Sequence, residues 1–269
     1  MSHWRATARP LTLPTRSFNL AALPSPRIIQ GVLDLVADIA PDHLNVLDVS
    51  CKRGDLLRLL AARGFKVRGT NYESEPAAID GIPIDGGVDL TDGLPFPDGS
   101  FDLVFLTEVI EHLENHKAAI FNLARVAKPG GRLIITTPNI MRLDSRLAFL
   151  LSGLHKTKRR QMPLDTPLAG MHRFHNFPIA FPILYYLLRQ NGFEIERIGH
   201  SETKTIAYLL YGLMYPFVAA NTAFRLIHRE RRNPGWEPNR AMMRWMLDRR
   251  MLMEDTLLIR AKKTPTPAS

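Results

Sequence analysis

Three groups of residues have the types and spacing to do chemistry. The first is Asp48-Val49-Ser50-Cys51-Lys52-Arg53-Gly54, where an apolar run ends in an acid, turns through a glycine and opens a helical pattern. About twenty residues on, a second run ends in Asn71-Tyr72-Glu73, and a further stretch reaches Asp89. Backbone N–H groups at a helix start, faced by polar or acidic strand ends, form the geometry of a nucleotide site. Taken alone this is weak, because most single glycines at such turns merely start or cap a helix. The second group is Glu108-x-x-Glu111-His112. Two carboxylates and an imidazole this close suit proton transfer or a hard or borderline cation. The third, His172 and His175, offers a further imidazole to either task. The bland alternatives are structural histidines held by hydrogen bonds, and a Glu111–His112 pair that only caps the following helix. Cys51 has no base paired with it and reads as a small packing residue.

These groups need a scaffold that brings strand ends together. Apolar residues recur at helical spacing over 27–40 and stop at Pro41. Residues 44–49 (LNVLDV) form a short buried-strand pattern, and 54–63 a helix stopped by Gly64. Residues 65–70 are a second strand, 82–84 a weak third and 101–106 (FDLVFL) a fourth. A helix over 117–127 closes at Pro129-Gly130-Gly131 and leads into a fifth strand, 132–137. The stretch 138–176 is irregular and basic, with a helix at 145–151 and a patch at Lys156, Lys158, Arg159 and Arg160. A helix over 183–189, a sixth strand over 193–198 and a last strand over 255–261 complete the pattern. This alternation predicts an α/β fold: a doubly wound, mostly parallel, seven-stranded Rossmann-like sheet. Ligands bind such sheets at the carboxyl ends of the strands.

Read in order, three segments carry more information than any one of them. They are Asp89-Leu90-Thr-Asp-Gly-Leu94-Pro95-Phe96-Pro-Asp98-Gly-Ser100-Phe101-Asp102, then Glu108-Val-Ile-Glu111-His112, then Arg125-Val-Ala-Lys128-Pro129-Gly130-Gly131. The succession closely resembles the class I S-adenosylmethionine-dependent methyltransferases, the branch of ubiquinone-pathway O-methyltransferases and envelope-polysaccharide methyltransferases. The resemblance runs from about residue 44 to residue 198 and implies S-adenosylmethionine as cofactor. By it, Asp48, Ser50 and the turn to Gly54 lie against the methionine part, and Asn71 and Glu73 hold the ribose. Asp89 accepts from the adenine amino group with Leu90 against the ring, and Thr107 and Glu108 form the pocket floor near the methyl group. Glu108, His112, His172 and His175 are then the candidate catalytic groups. Glu108, Glu111 and His112 also resemble a divalent-cation site of ubiquinone-pathway and small-RNA 2′-O-methyltransferases, which His172 or His175 would complete. Two departures stand out: Ser50 and Lys52 replace glycines of the family's turn, and Asn71 replaces its usual ribose-binding acid.

Composition bounds the rest. One cysteine excludes a disulfide framework and a multi-cysteine zinc site, and a reducing cytoplasmic compartment is the default. Thirty-five Lys and Arg against 26 Asp and Glu give +9, much of it beyond residue 200. There, residues 205–224 carry no charge and contain Pro216. A break at Pro216 predicts two short helices, 204–214 and 217–228, lying on a membrane surface with an arginine cluster over 225–250 against anionic headgroups. The alternative is a helical subdomain that covers the active site or forms a dimer. The expected division is a flexible basic arm (1–26), a core (27–200), an apolar and basic helical insertion (201–250), the last strand (251–263) and a tail (264–269). The expected function is methyl transfer, at oxygen, to a small or lipid-linked acceptor, in the cytoplasm and at the inner face of the membrane. Its rivals are a degenerate scaffold without catalysis and an RNA methyltransferase, with nucleic acid the less favoured partner.

Overall fold

The computed structural model describes residues 26–74, 78–157, 174–230 and 237–264. The strands are β1 (Asn45–Val49), β2 (Lys66–Thr70), β3 (Ala78–Ile79), β4 (Ile82–Asp85), β5 (Phe101–Thr107), β6 (Ala127–Pro138), β7 (Phe193–Ile198) and β8 (Thr256–Lys263). They form one sheet in the order β3-β4-β2-β1-β5-β6-β8-β7. β1 pairs in parallel with β2 and β5, β2 with β4, and β5 with β6, whereas β8 runs antiparallel between β6 and β7. All seven expected strands are present. The eighth, β3, is a two-residue antiparallel addition to β4, too short to leave a pattern in the sequence.

Both faces of the sheet are covered. On one, Leu47, Val104, Leu106, Ile135 and Ile259 pack against Ile120 and Leu123 of α3 (His116–Val126) and Leu184 and Leu188 of α5 (Phe181–Gln190). On the other, Val46, Leu103, Phe105, Ile134 and Leu258 meet Val32 and Leu33 of α1 (Pro26–Leu35) and Leu56 and Leu60 of α2 (Asp55–Ala62). Neighbouring strand residues point to opposite faces, so a sheet buried on both sides needs unbroken apolar runs. That is why residues 101–106 read so clearly as a strand. The chain winds outward from β1 in both directions, so the crevice opens at the carboxyl ends of β1 and β5.

One expectation is corrected. Instead of two short helices, α6 (Thr205–Glu230) runs unbroken for 26 residues through Pro216. Proline removes one helical hydrogen bond, but packing on either side of it holds the axis. Ala207, Leu210, Tyr211, Met214 and Val218 lie against Leu143 of α4 (Leu143–Ser152) and Leu252 and Met253 of α8 (Arg249–Met253). The chain then returns through α7 (Glu237–Met246), whose Ala241, Met242, Trp245 and Met246 rest on the main core. The helical insertion is therefore a layer of the same domain. Residues 1–25 of the expected arm and 265–269 of the tail lie outside the described residues, as do Lys158, Arg159, Arg160 and His172.

Candidate active site

Asp48 closes β1 and is only 3% exposed. After it, Ser50, Lys52 and Gly54 take φ of 60°, 53° and 69°. The turn thus keeps the left-handed angles that glycine supplies freely, although two of its three positions carry side chains. Each costs about 1–2 kcal/mol there. Asn71 offsets that cost: its Oδ1 accepts from the Lys52 backbone N–H at 2.7 Å, and its Nδ2 donates to the Lys52 carbonyl at 3.0 Å. The Cys51 N–H donates to the Thr70 carbonyl at 2.9 Å, tying the turn to β2 as well. Asn71 is therefore a clamp on the turn, a role the sequence did not suggest. A carboxylate there would accept from the N–H but have nothing to donate to the carbonyl. The two departures from the family pattern are matched to each other. Glu73 is exposed beyond the strand end.

Burial pushes the Asp48 carboxyl up to about 8, and the ammonium of Lys52 draws it back down in part. Behind the turn, Cys51 packs among Leu57, Ile79, Ile82 and Ile84, and burial pushes its thiol up to about 12. It is the inert packing residue that the sequence implied. Past β4, Asp89 Oδ1 accepts from the N–H and hydroxyl of Thr91 at 2.8 and 2.7 Å, leaving Oδ2 without a partner among the described residues. Leu90 is buried, and its carbonyl accepts from Asn122 Nδ2 of α3 at 2.8 Å. The segment before β5 is held by Arg125, which donates to the Leu94 and Phe96 carbonyls at 2.6 and 2.7 Å. Lys128 joins the start of β6 to Asp102 at 2.8 Å. These motif residues hold the loop.

At the end of β5 the Thr107 hydroxyl is buried with no hydrogen-bond partner among the described residues. Glu108 follows at φ 53°, its N–H donating to Thr136 Oγ1 at 3.0 Å. That hydroxyl donates in turn to Glu108 Oε1 at 3.0 Å. A single 3₁₀ turn, Ile110–His112, then buries Glu111 completely. Thr137 Oγ1 donates to Glu111 Oε2 at 3.2 Å, and Glu111 Oε1 lies 3.7 Å from His175 Nε2. Burial first, and the neighbouring Glu108 charge second, hold the Glu111 carboxyl well above the usual range. His112 Nδ1 sits 2.9 Å from the Phe174 carbonyl, and its ring meets that of His175 edge-on at 4.8 Å.

Candidate ligand atoms of Glu111, His112 and His175 all lie within 4.8 Å of one another. Glu108, expected in a cation site, is not in that trio. Nor do Glu111 and His112 cap a helix. Asn115 does so for α3, accepting from the Ala118 N–H at 3.0 Å. Beside His175 opens a cleft of about 390 Å³, walled by Gly153, Leu154, His155 and Thr157 on one side and Asn176 and Pro178 on the other. In loop 153–157 the sequence marked only Lys156, as part of a basic patch, and not the wall of the cleft, since small and mixed residues carry no period.

The fit to S-adenosylmethionine rests on these atoms: a buried acid at the turn, one uncommitted oxygen on Asp89, and the orphaned hydroxyl of Thr107. The fit to a divalent cation rests on Glu111, His112 and His175, with His112 oriented through its other nitrogen.

The profile of a family described as a methyltransferase domain matches residues 23–197, and the chain belongs to the class I S-adenosylmethionine-dependent methyltransferases. The ubiquinone biosynthesis O-methyltransferase of Rickettsia canadensis is 34% identical over 178 residues, 64% of this chain and 70% of that one. That of Sodalis glossinidius is 32% identical over 152 residues, 48% of this chain and 61% of that one. The 2-methyl-6-phytyl-1,4-hydroquinone methyltransferase of Synechocystis is 37% identical over 109 residues, but only 34% of its length is matched. Among solved structures, an S-adenosylmethionine-dependent methyltransferase from Archaeoglobus fulgidus superposes over 88% of this chain and 94% of that one, with TM-score 0.52 at 18% identity. It shares the fold.

Proposed function

We propose that this protein transfers a methyl group from S-adenosylmethionine to a hydroxyl of a small acceptor that carries an apolar tail. The observation that carries this reading is the Glu111–His112–His175 cluster past the end of β5, whose His175 lines the cleft. S-adenosylmethionine, when bound, supplies a methyl group already activated by its sulfonium. Asp48 and the turn to Gly54 hold the amino-acid part, Asp89 Oδ2 accepts from the adenine amino group, and Thr107 Oγ1 lines the floor. His175 takes the acceptor's hydroxyl proton as the new O–C bond forms and the S–C bond breaks. Glu111, 3.7 Å from His175 Nε2, orients the ring for that transfer. A divalent cation held by Glu111, His112 and His175 would instead lower the acceptor's pKa as a Lewis acid.

The names of the relatives, a ubiquinone biosynthesis O-methyltransferase and a phytyl-hydroquinone methyltransferase, support a ring hydroxyl with a hydrocarbon tail. Exposed Phe149, Leu150, Leu151 and Leu154 at the end of α4 would receive such a tail next to the cleft. The preserved left-handed turn speaks against the scaffold alternative. Calorimetry with S-adenosylhomocysteine and methyl transfer to a short-chain dihydroxybenzene acceptor test the proposal together. His175→Gln should keep cofactor affinity and lose turnover by 10²–10⁴-fold, roughly the range for a general base. Failure to bind S-adenosylhomocysteine would return the scaffold reading. Full turnover after exhaustive chelation would remove the cation but leave His175 as base.

A further inference from the structure

Among the described residues, no element packs on the outer face of α6. Ile206, Leu209, Leu213 and Phe217 recur every three to four residues, Phe224 follows two turns on, and the five are 49%, 67%, 65%, 74% and 63% exposed. That spacing puts them in one stripe, turned about a third of the way round the helix from the face that packs on α4 and α8. No charge occurs from Thr205 to Phe224, and the helix is long and apolar enough to cross a membrane. At about 1.5 Å per residue it is roughly 39 Å long. Between Lys204 and Arg250 the chain carries nine basic and three acidic residues, with Arg225, Arg244 and Arg249 exposed. A protein interface would need a complementary partner for both the stripe and the cations. An anionic bilayer meets both at once.

We infer that α6 docks this protein onto the surface of an anionic lipid bilayer, lying in the interface and not spanning it. Spanning is incompatible with the packing. Ala207 through Val218 are fastened to α4 and α8, and α7 returns to the main core, so both ends of the segment belong to one domain on one side. Pro216 adds a second reason: it leaves the Gly212 carbonyl without its helical N–H, and Gly212 lies exposed. That carbonyl stays hydrated at an interface and would be stranded in the hydrocarbon. The basic excess suits the anionic cytoplasmic leaflet.

Flotation of the full chain with vesicles tests the inference, using phosphatidylcholine alone and phosphatidylcholine mixed with phosphatidylglycerol. No cofactor or acceptor is needed, so failure here leaves the methyl-transfer reading untouched. The parent should float with the anionic vesicles, and high salt should release part of it. Leu209→Ser with Leu213→Ser should lower partitioning by at least about tenfold, since two buried leucine side chains are lost to the bilayer. Phe121→Ser, at an exposed position on α3, should not. Because Cys51 is buried, an environment-sensitive dye on Leu213→Cys reports docking without the double variant: its emission should shift blue with anionic vesicles, and a dye on Phe121→Cys should not. No flotation with either vesicle, or a double variant that floats like the parent, overturns the inference. A stripe that instead holds two copies together, seen as a dimer lost in the double variant and a parent indifferent to vesicles, overturns it too.

Discussion

Asp48 makes a sharp forecast about pH. Its carboxyl is pushed up to about 8 from an ordinary 3.8 because it is buried, with only Lys52 opposing. At pH 7 the free protein therefore carries mostly protonated Asp48. If the carboxylate holds the ammonium of the cofactor's amino-acid part, binding must expel that proton. Affinity for S-adenosylhomocysteine should then rise about tenfold per unit from pH 6 to 7.5 and release about one proton per ligand. Above that range the ligand's own amino group begins to deprotonate, so the test belongs below it. Calorimetry in two buffers of different ionisation enthalpy counts the proton directly. Asp48→Asn should abolish the slope and weaken binding, and Lys52→Met should move the rise to higher pH. Stability gives the matching sign. The folded state keeps a proton that the unfolded chain releases above pH 4, so the contribution of Asp48 is intact below pH 4 and lost as pH rises through 8. Asp48→Asn should flatten that decline in urea titrations. An affinity constant across pH 6 to 7.5, with no proton released, would mean Asp48 is already ionised and would refute the burial argument.

Asn71→Ala should cost about 2–3 kcal/mol of stability, for two lost bonds and a Lys52 N–H left unsatisfied, whereas Asn71→Asp keeps one bond and should cost about 1 kcal/mol. A tenfold gain in cofactor affinity for Asn71→Asp would show that the residue faces the ribose after all. Lys52→Gly relieves a left-handed side chain and should stabilise by up to about 1 kcal/mol, read as a higher urea midpoint. Arg125→Met, which removes bonds to the Leu94 and Phe96 carbonyls, should cost about 2–4 kcal/mol while cofactor affinity changes little in the folded protein.

The sequence alone determined the scaffold, because a sheet buried on both faces writes its strands as unbroken apolar runs and its helices as periodic ones. It also brought forward Asp48, Asp89, Glu111, His112 and His175, since acids and imidazoles at strand ends are costly unless they have a task or a partner. Tertiary structure decided how those residues are used. Asn71 was expected on the ribose, and only the fold revealed that its amide lies across the Lys52 peptide, a contact 19 residues away in the chain. In the candidate cation site the fold sets His175 beside Glu111 and His112, while Thr136, on the neighbouring strand, bonds Glu108. Pro216 carried a strong local instruction to break the helix, and packing against α4 and α8 overrode it. Local signals act through backbone angles and period, which a sequence displays. Pairings between distant strands and helices depend on which side chains the folded chain places face to face, and no single segment records that.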